Sequence, residues 1–388
     1  MKHTIYALTM FALAACTSPQ EEAIDRHALV TRNNPEVTAM DSLSSLSVGN
    51  GEFAYTVDAT GLQTFPEVYK NGVPLGTQSQ WGWHSFGNPE NYKPEEALVE
   101  YDFGHGHKEL YATQPKEPDR AKEASDWYRV NPHRLHLGII GLELENEVRP
   151  SDVQNIQQSL DMWNGIINSR FTLKETPYHI QTVCHPERDM IAARLSAQQP
   201  AGIKFHFPYP TGGHCDDACN WEANDKHSTT LVSEDAQSAV LKRTLDATTY
   251  YVTISWEGTA KLSEKSANYF VLTPTDSVFT FTCQFTPQAS ASPILTFAEV
   301  QQASSGHWQN YWTQGAVADF SQCTDVRAKE LERRVVLSQY LLAIQCAGST
   351  PPQETGLTYN SWFGKFHLEM IWWHQAQFAL WGHPELLD

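Results

Sequence analysis

The chain has 388 residues, with 27 Lys and Arg against 45 Asp and Glu, for a formal charge of −18. That acidity repels phosphate backbones and excludes nucleic acid as a partner, while a 41% hydrophobic fraction and 12 tryptophans exclude a disordered chain. No apolar run approaches the ~20 residues of a membrane-spanning helix, and 11% aromatic with 19% charged residues suits a polar, uncharged ligand such as a sugar.

At the N-terminus, Lys2 and His3 precede an apolar stretch from Ile5 to Ala15, and small residues lead to Cys16. This is the layout of a secretory signal peptide. Leu13-Ala14-Ala15-Cys16 also has the form of a bacterial lipobox, in which the Cys16 thiol is acylated and becomes the new N-terminus. The plainer alternative is a signal peptide cleaved beside an incidental cysteine. The expectation is a protein of the bacterial cell envelope, lipid-anchored through Cys16. Residues 1–16 are then the signal and 17–40 a polar tether, with membrane contact through the lipid alone. Thr17, in place of Asp, points to the outer membrane, so the expected location is the outer membrane or periplasm.

Six further cysteines follow: Cys184, Cys215, Cys219, Cys283, Cys323 and Cys346. Six thiols allow fifteen complete pairings, so connectivity stays open. His214-Cys215-Asp216-Asp217-Ala218-Cys219 has a C-x₃-C spacing with a flanking His, but no second ligand pair follows it. A loop disulfide or two free thiols beside a turn fit that segment better than a metal, and neither metal nor cofactor is expected.

Residues 41–294 read as β structure. Short alternating or β-branched runs recur at 46–48, 52–57, 97–103, 136–144, 169–172, 179–185, 190–196, 202–207, 229–232, 249–255, 269–273 and 278–285. Gly, Pro, Asn and Asp clusters separate them, with little sign of helices between. So many strands bury both faces most readily as a large two-sheet sandwich.

The period changes after residue 295. Residues 297–312 carry apolar residues at helical spacing behind Thr296 as N-cap, making 295–322 a helical linker. Residues 325–346 form a stronger helix, with Leu331, Val335, Leu342 and Cys346 expected on its apolar face. Ala347-Gly348 ends it and Pro351-Pro352 prevents its resumption. Residues 366–381 are apolar nearly all round, which predicts a helix buried on both sides. Residues 323–388 thus read as one antiparallel helical hairpin. One hairpin leaves Trp-rich faces open to water, so the sequence is expected to be truncated.

Three places carry a resemblance. The first is Ser47-Val48-Gly49-Asn50-Gly51-Glu52-Phe53. The second is His307-Trp308-Gln309-Asn310-Tyr311-Trp312 with Gly315 and Asp319. The third is Gly356-Leu357-Thr358 followed by Trp362, Gly364 and Phe366 to Glu369. Together they resemble the six-hairpin glycosidases, and in particular glycoside hydrolase family 65, the kojibiose and maltose phosphorylase group. They are similar to that family's opening strand and turn, its aromatic linker, and its Gly-Leu-Thr and Trp-Asp-Thr-Glu motifs. With Glu369 set on the motif's Glu, Phe366, His367 and Leu368 replace its Trp, Asp and Thr. The resemblance therefore implies the fold more strongly than the activity. It implies an N-terminal β-sandwich (a supersandwich), a linker helix and an (α/α)6 barrel whose mouth holds a sugar, of which 323–388 is the start. It also implies a general acid on a later helix, beyond Asp388.

The segment Asn360 to Glu369 gathers Trp, Lys, His and Glu, the chemistry that sugars need: an aromatic face for ring C–H groups and polar groups for hydroxyl pairs. On this reading Trp362 stacks, Lys365, His367 and Glu369 bond the sugar, and Trp373, one turn after Glu369, shares its face. His374, Trp372 and Trp381 are read as packing. Gln80-Trp81-Gly82-Trp83-His84 and Asn131-Pro132-His133-Arg134 are weaker candidates for loops at the mouth. The expected function is the N-terminal part of a lipid-anchored glycoside hydrolase cleaving oligosaccharides, by inversion. A disaccharide phosphorylase, a non-catalytic glycan-binding lipoprotein and a structural scaffold are the alternatives.

Overall fold

A computed structural model describes residues 23–290 and 293–387. The expected signal peptide, Cys16 and the start of the tether lie outside these residues. The described chain is β-rich and antiparallel. A nine-stranded sheet runs in the order Glu36–Val37, Val153–Asp161, Ile166–Leu173, Thr176–Cys184, Met190–Ser196, Val278–Thr286, Thr248–Glu257, Ser238–Leu245 and His227–Glu234. A four-stranded sheet (Ala260–Ser266, Tyr269–Pro274, Gly202–His206, Ile139–Glu143) and a three-stranded one (Leu46–Gly49, Phe53–Val57, Thr77–Ser79) pack against it. Alternation drives this layering, because period-2 apolar residues must bury one face of each strand. Phe205 meets Phe281 across the layers with ring centroids 6.1 Å apart, and Phe53 meets Phe285 at 5.9 Å. These rings belong to one continuous buried cluster.

Every strand expected from the sequence falls on an observed one, and the sequence reading missed several more. Val153–Asp161, Ser238–Leu245 and Ala260–Ser266 carry polar outward rows that hide their alternation. One hairpin turns at Lys174-Glu175, where both residues have positive φ (46° and 67°). Neither is a residue that announces such a turn.

Among the described residues seven helices, α1 to α7, accompany the sheets. Helix α1 (Arg26–Thr31) begins at Asp25, which accepts the Ala28 N–H at 2.9 Å. Its Leu29 and Val30 are buried, and the next strand, Glu36–Val37, joins the large sheet. The stretch expected as a tether is therefore built into the fold from Arg26 on. Arg26 donates to the carbonyls of Trp312, Gln314 and Gly315. Helix α2 (Pro66–Tyr69) is one turn. Helix α3 (Arg120–Val130), capped by Asp119, interrupts the region expected to be free of helices. Its fully buried residues are only Ala124 and Ser125, so it lacks a readable apolar stripe.

Helix α4 (Phe297–Thr313) starts at Thr296 as expected, with Glu299 completing a capping box. Its first half seats Phe297 and Val300 against Ile166, Val183, Met190 and Ala192 of the large sheet. Its second half drives Trp308 and Trp312 into the main core, where the Trp312 indole N–H donates to the Met162 carbonyl at 2.7 Å. Gly165 permits that approach, since a Cβ there would lie 2.2 Å from the Trp308 ring on a backbone at φ +67°.

Helix α5 (Ala328–Gln345) corrects the sequence reading by one position. Its buried row is Glu332, Val336, Gln339, Tyr340, Ala343 and Ile344, while Leu331 is exposed and Val335 half-buried. A carboxylate takes the buried place because Arg32 and Asn33 from the α1 end meet it there.

The expected helix over 366–381 is replaced by two short ones, α6 (Met370–His374) and α7 (Ala376–Leu380). The chain breaks at Gln375, whose buried amide turns in to the Cys346 carbonyl at the end of α5. The segment is not buried on both sides: Trp372 is 73%, Trp373 68% and Leu380 81% exposed. An (α/α)6 barrel is not seen among the described residues.

Candidate functional site

The loop after α5 is laid over the β domain by a series of polar contacts. Ser349 bonds the Glu52 carboxylate through its N–H and hydroxyl, and Thr350 donates to the Gln80 side-chain carbonyl at 2.7 Å. Gln353 pairs with Gln78, and Thr358 donates to the Gln345 side chain at 2.6 Å. Gly356 and Leu357 are buried, so the Gly-Leu-Thr stretch fixes the loop rather than facing outward. Tyr359 then donates to the Cys215 carbonyl at 2.7 Å, and the Asn360 amide to the carbonyls of Gly213 and Asp216.

Next, Trp362, Phe363 and Gly364 take positive φ in succession, at 49°, 62° and 72°. For two bulky aromatic residues this conformation is costly and persists only where surroundings over-determine it. They do so here. The Phe363 N–H donates to the His214 carbonyl at 3.2 Å, and the His214 ring stands edge-on to Trp362 at 4.3 Å and beside Phe363 at 5.0 Å. The Arg129 guanidinium lies 5.7 Å from the Trp362 ring. A Cβ on Gly364 would meet the Arg134 Cβ at 2.2 Å. Phe363 is the buried anchor, and Trp362 is the ring left partly outside.

Beneath this turn lie the two β-domain loops singled out in the sequence. The Arg134 guanidinium covers the Trp83 ring at 3.9 Å and donates to the carbonyls of Ser79, Gln80 and Gly364. Burial depresses its pKa to about 9, with Glu52 opposing the shift. Trp81 donates its indole N–H to Asp189 at 2.6 Å. Burial pushes the Asp189 carboxyl up to about 6 against the hydrogen bonds from Ser79 and Trp81. These loops form the floor of the site.

Each expected site residue has a definite place. Lys365 is taken: its ammonium donates to the carbonyls of Tyr128, Arg129 and Asn131 at 2.9, 2.8 and 3.2 Å, closing the C-terminus of α3. Burial, then the nearby Arg129 charge, lowers its pKa. Its expected hydrogen bond to a sugar is thus corrected to an anchoring role, because its donors are spent on backbone. His367 lies 5.6 Å from the Trp362 ring. Glu369 is exposed at the start of α6, and its carboxylate makes no hydrogen bond or ion pair among the described residues. Trp373 is exposed one turn on, and Trp372, expected to pack, is exposed beside it. His374 is half-buried, with Nδ1 unpartnered, and burial lowers its pKa.

The sequence reading missed His214 and Arg129. Only His214 carried a signal there, through its neighbour Cys215, and that signal pointed towards metal or disulfide chemistry. The Cys215 thiol lies 3.4 Å from His214 Nδ1, the Cys219 thiol faces the Asp217 carbonyl at 3.0 Å, and all six described cysteines are unpaired. The arrangement therefore offers exposed aromatic faces, an imidazole and an unengaged carboxylate on one loop, held over a rigid floor.

No protein-family model matches the chain, and no curated protein does. Among solved structures, one described as a kojibiose phosphorylase from the human microbiome is similar at TM-score 0.48 and 9% identity, over 82% of this chain and 42% of that one. A bacterial glucoamylase complexed with acarbose is similar at TM-score 0.41 and 8% identity, over 85% of this chain and 46% of that one. A family GH92 α-mannosidase from Bacteroides thetaiotaomicron, in complex with mannoimidazole, is similar at TM-score 0.33 and 9% identity, over 82% and 40%. The chain spans less than half the length of each of these proteins.

Proposed function

We propose that the chain is the N-terminal part of a lipid-anchored glycoside hydrolase of the six-hairpin type, resembling family 65, and that it holds an oligosaccharide on the rim from Trp362 to Trp373. The observation that carries this reading is the left-handed Trp362 turn. Strain is kept there to leave one indole face outside, next to His367 and on the same loop as the unpartnered Glu369. An aromatic face takes the C–H surface of a pyranose, and a carboxylate takes a pair of hydroxyls. In this reading Trp362 and Trp373 stack, His367 and Glu369 bond the ring, and Lys365 fixes the loop.

Inverting hydrolysis needs an acid and a base ~6.5–9.5 Å apart. Following the resemblance, the general acid belongs to a later helix of the barrel than α5 to α7, and the rim supplies the binding step. Hydrolysis is preferred to phosphorolysis because a sugar phosphate made outside the cytoplasm would not readily feed metabolism. The supporting grounds for the anchor are the lipobox and signal layout.

Calorimetry of the chain with α-linked di- and trisaccharides tests the binding step. Trp362→Ala and Glu369→Gln should each weaken binding at least tenfold; unchanged affinity in both removes the rim from the reading. In the longer enzyme, Glu369→Gln should lower turnover by orders of magnitude, and wild-type-like turnover would take Glu369 out of the site. A product that requires added phosphate would replace hydrolase by phosphorylase.

A further inference from the structure

A second surface of the β domain has the makings of a ligand site. On the outer face of the four-stranded sheet, Tyr269, His206 and Ile139 are neighbours in register across three strands. Trp221, from the short loop after Cys219–Asn220, leans over this row. Its ring lies 4.8 Å from His206, and Tyr269 lies 4.7 Å from His206. All three rings are half-buried and neighbouring ring planes are tilted by 44°, so they form a contiguous, angled aromatic floor that is partly open to solvent. Above it is an open cavity of about 460 Å³, walled by Lys204, Glu67, Asn220 and Glu222 among others. That volume is within the ~300–1,000 Å³ of small-ligand pockets.

The polar groups around the floor are of two kinds. The Tyr269 hydroxyl is tied to Glu143, and the Lys204 ammonium donates to the Thr64 carbonyl at 2.8 Å, which leaves two of its N–H groups. Glu67 and Glu222 are exposed and their carboxylates make no hydrogen bond or ion pair among the described residues. Two unengaged carboxylates repel phosphates and other anions. The Lys204 charge, together with the Arg243 charge that acts on His206, opposes a cation on the same rings. Burial, with those two cations adding to it, drives the His206 pKa down to about 4, so its ring is neutral at physiological pH. What fits is a neutral, flat-faced molecule rich in hydroxyls.

We propose that Trp221, His206 and Tyr269 form a second saccharide-binding site, in which one pyranose ring stacks on the aromatic floor and its hydroxyl pairs are taken by Glu67, Glu222 and Lys204. The site stands on its own chemistry and does not depend on the rim at Trp362.

Saturation-transfer NMR on the full chain tests it, with maltotriose and methyl α-D-mannopyranoside as probes and choline as a competitor. At least one saccharide should receive saturation, Trp221→Ala should weaken that binding at least tenfold, and Trp362→Ala should leave a binding component intact. The paired change Glu67→Gln with Glu222→Gln touches only exposed side chains, and should weaken binding severalfold even where Trp221→Ala unfolds its loop. Binding lost entirely in Trp362→Ala overturns the second site and leaves the rim; binding lost only in the Trp221 and Glu67/Glu222 variants does the reverse. Absence of transfer, indifference to both sets of changes, or displacement by choline would also overturn it.

Discussion

Glu332 is the buried carboxylate of α5, 3% exposed, and it receives four donors. Arg32 reaches it through Nε at 2.9 Å and Nη2 at 2.8 Å, the Asn33 amide at 2.8 Å and the Phe320 N–H at 2.8 Å. Glu332→Ala removes the acceptor for all of them. Breaking a buried ion pair from one side costs about 3–5 kcal/mol. Arg32 keeps 35% of its side-chain surface in water and regains hydration there, whereas Asn33 is 4% exposed and does not. The loss should therefore sit near the lower end, about 3 kcal/mol, out of the ~5–15 kcal/mol that hold a domain together. Urea unfolding followed by tryptophan fluorescence reads the total, and amide exchange at Leu29 to Arg32 reads the release of α1. Burial alone would raise the Glu332 pKa, but its hydrogen bonds from Arg32 and Asn33 outweigh that and hold it below the ordinary 4.5. A carboxyl lowered by folding stabilises at pH above its unfolded value and loses that contribution as the pH falls through the folded one. Glu332→Gln should therefore abolish a step of acid destabilisation. A loss below about 1 kcal/mol in Glu332→Ala, with α1 exchange unchanged, would refute the claim that this cluster seats the N-terminal helix.

Asp189 has the opposite sign. Its folded pKa is lifted from 3.8 to about 6 by burial, so stability is fullest below the unfolded value and falls by about 3 kcal/mol as the pH rises through that window; Asp189→Asn should flatten the melting temperature against pH there, and an equally steep variant would defeat this assignment. Lys365→Met strips three carbonyls at the end of α3 of their donor and should cost about 1–3 kcal/mol, with acrylamide quenching of Trp362 altered; unchanged stability and quenching would contradict the anchoring role. Gly165→Ala combines a left-handed backbone with a Cβ inside contact of Trp308 and should lose about 3 kcal/mol in denaturant unfolding. A near-neutral result would show that α4 can shift away from the sheet.

Where the fold was legible, one local signal and one burial pattern agreed. Thr296 announces α4, and a run with alternating β-branched residues announces the strand at 278–285. The misreadings come from partners distant in sequence. The true face of α5 includes Glu332 and Gln339, which period alone rejects as polar. Glu332 is accepted only because Arg32, 300 residues away in sequence, arrives to neutralise it. Gln375 likewise sits within an apolar run whose composition predicts one buried helix. Its amide finds the Cys346 carbonyl, the run splits into α6 and α7, and the tryptophans before the split turn outward.

The site divides along the same line. Residue type singled out Trp362, Glu369 and the Trp83 and Arg134 loops as candidates, since aromatic, acidic and Gly-flanked residues have chemistry of their own wherever they fall. Residue type also offered Lys365 to a sugar, because three carbonyls at the end of α3 are invisible until α3 itself is known, and α3 has almost no apolar stripe to reveal it. The aromatic floor at Trp221 was missed for a third reason. Its rings come from residues 206, 221 and 269, so each looks like an isolated core residue in sequence. They become one surface only through the register that sets His206 opposite Tyr269. Strand register, more than motif, therefore decides whether these rings make the proposed second saccharide surface, and a Trp221 variant that binds like the wild type would return the β domain to a purely supporting part.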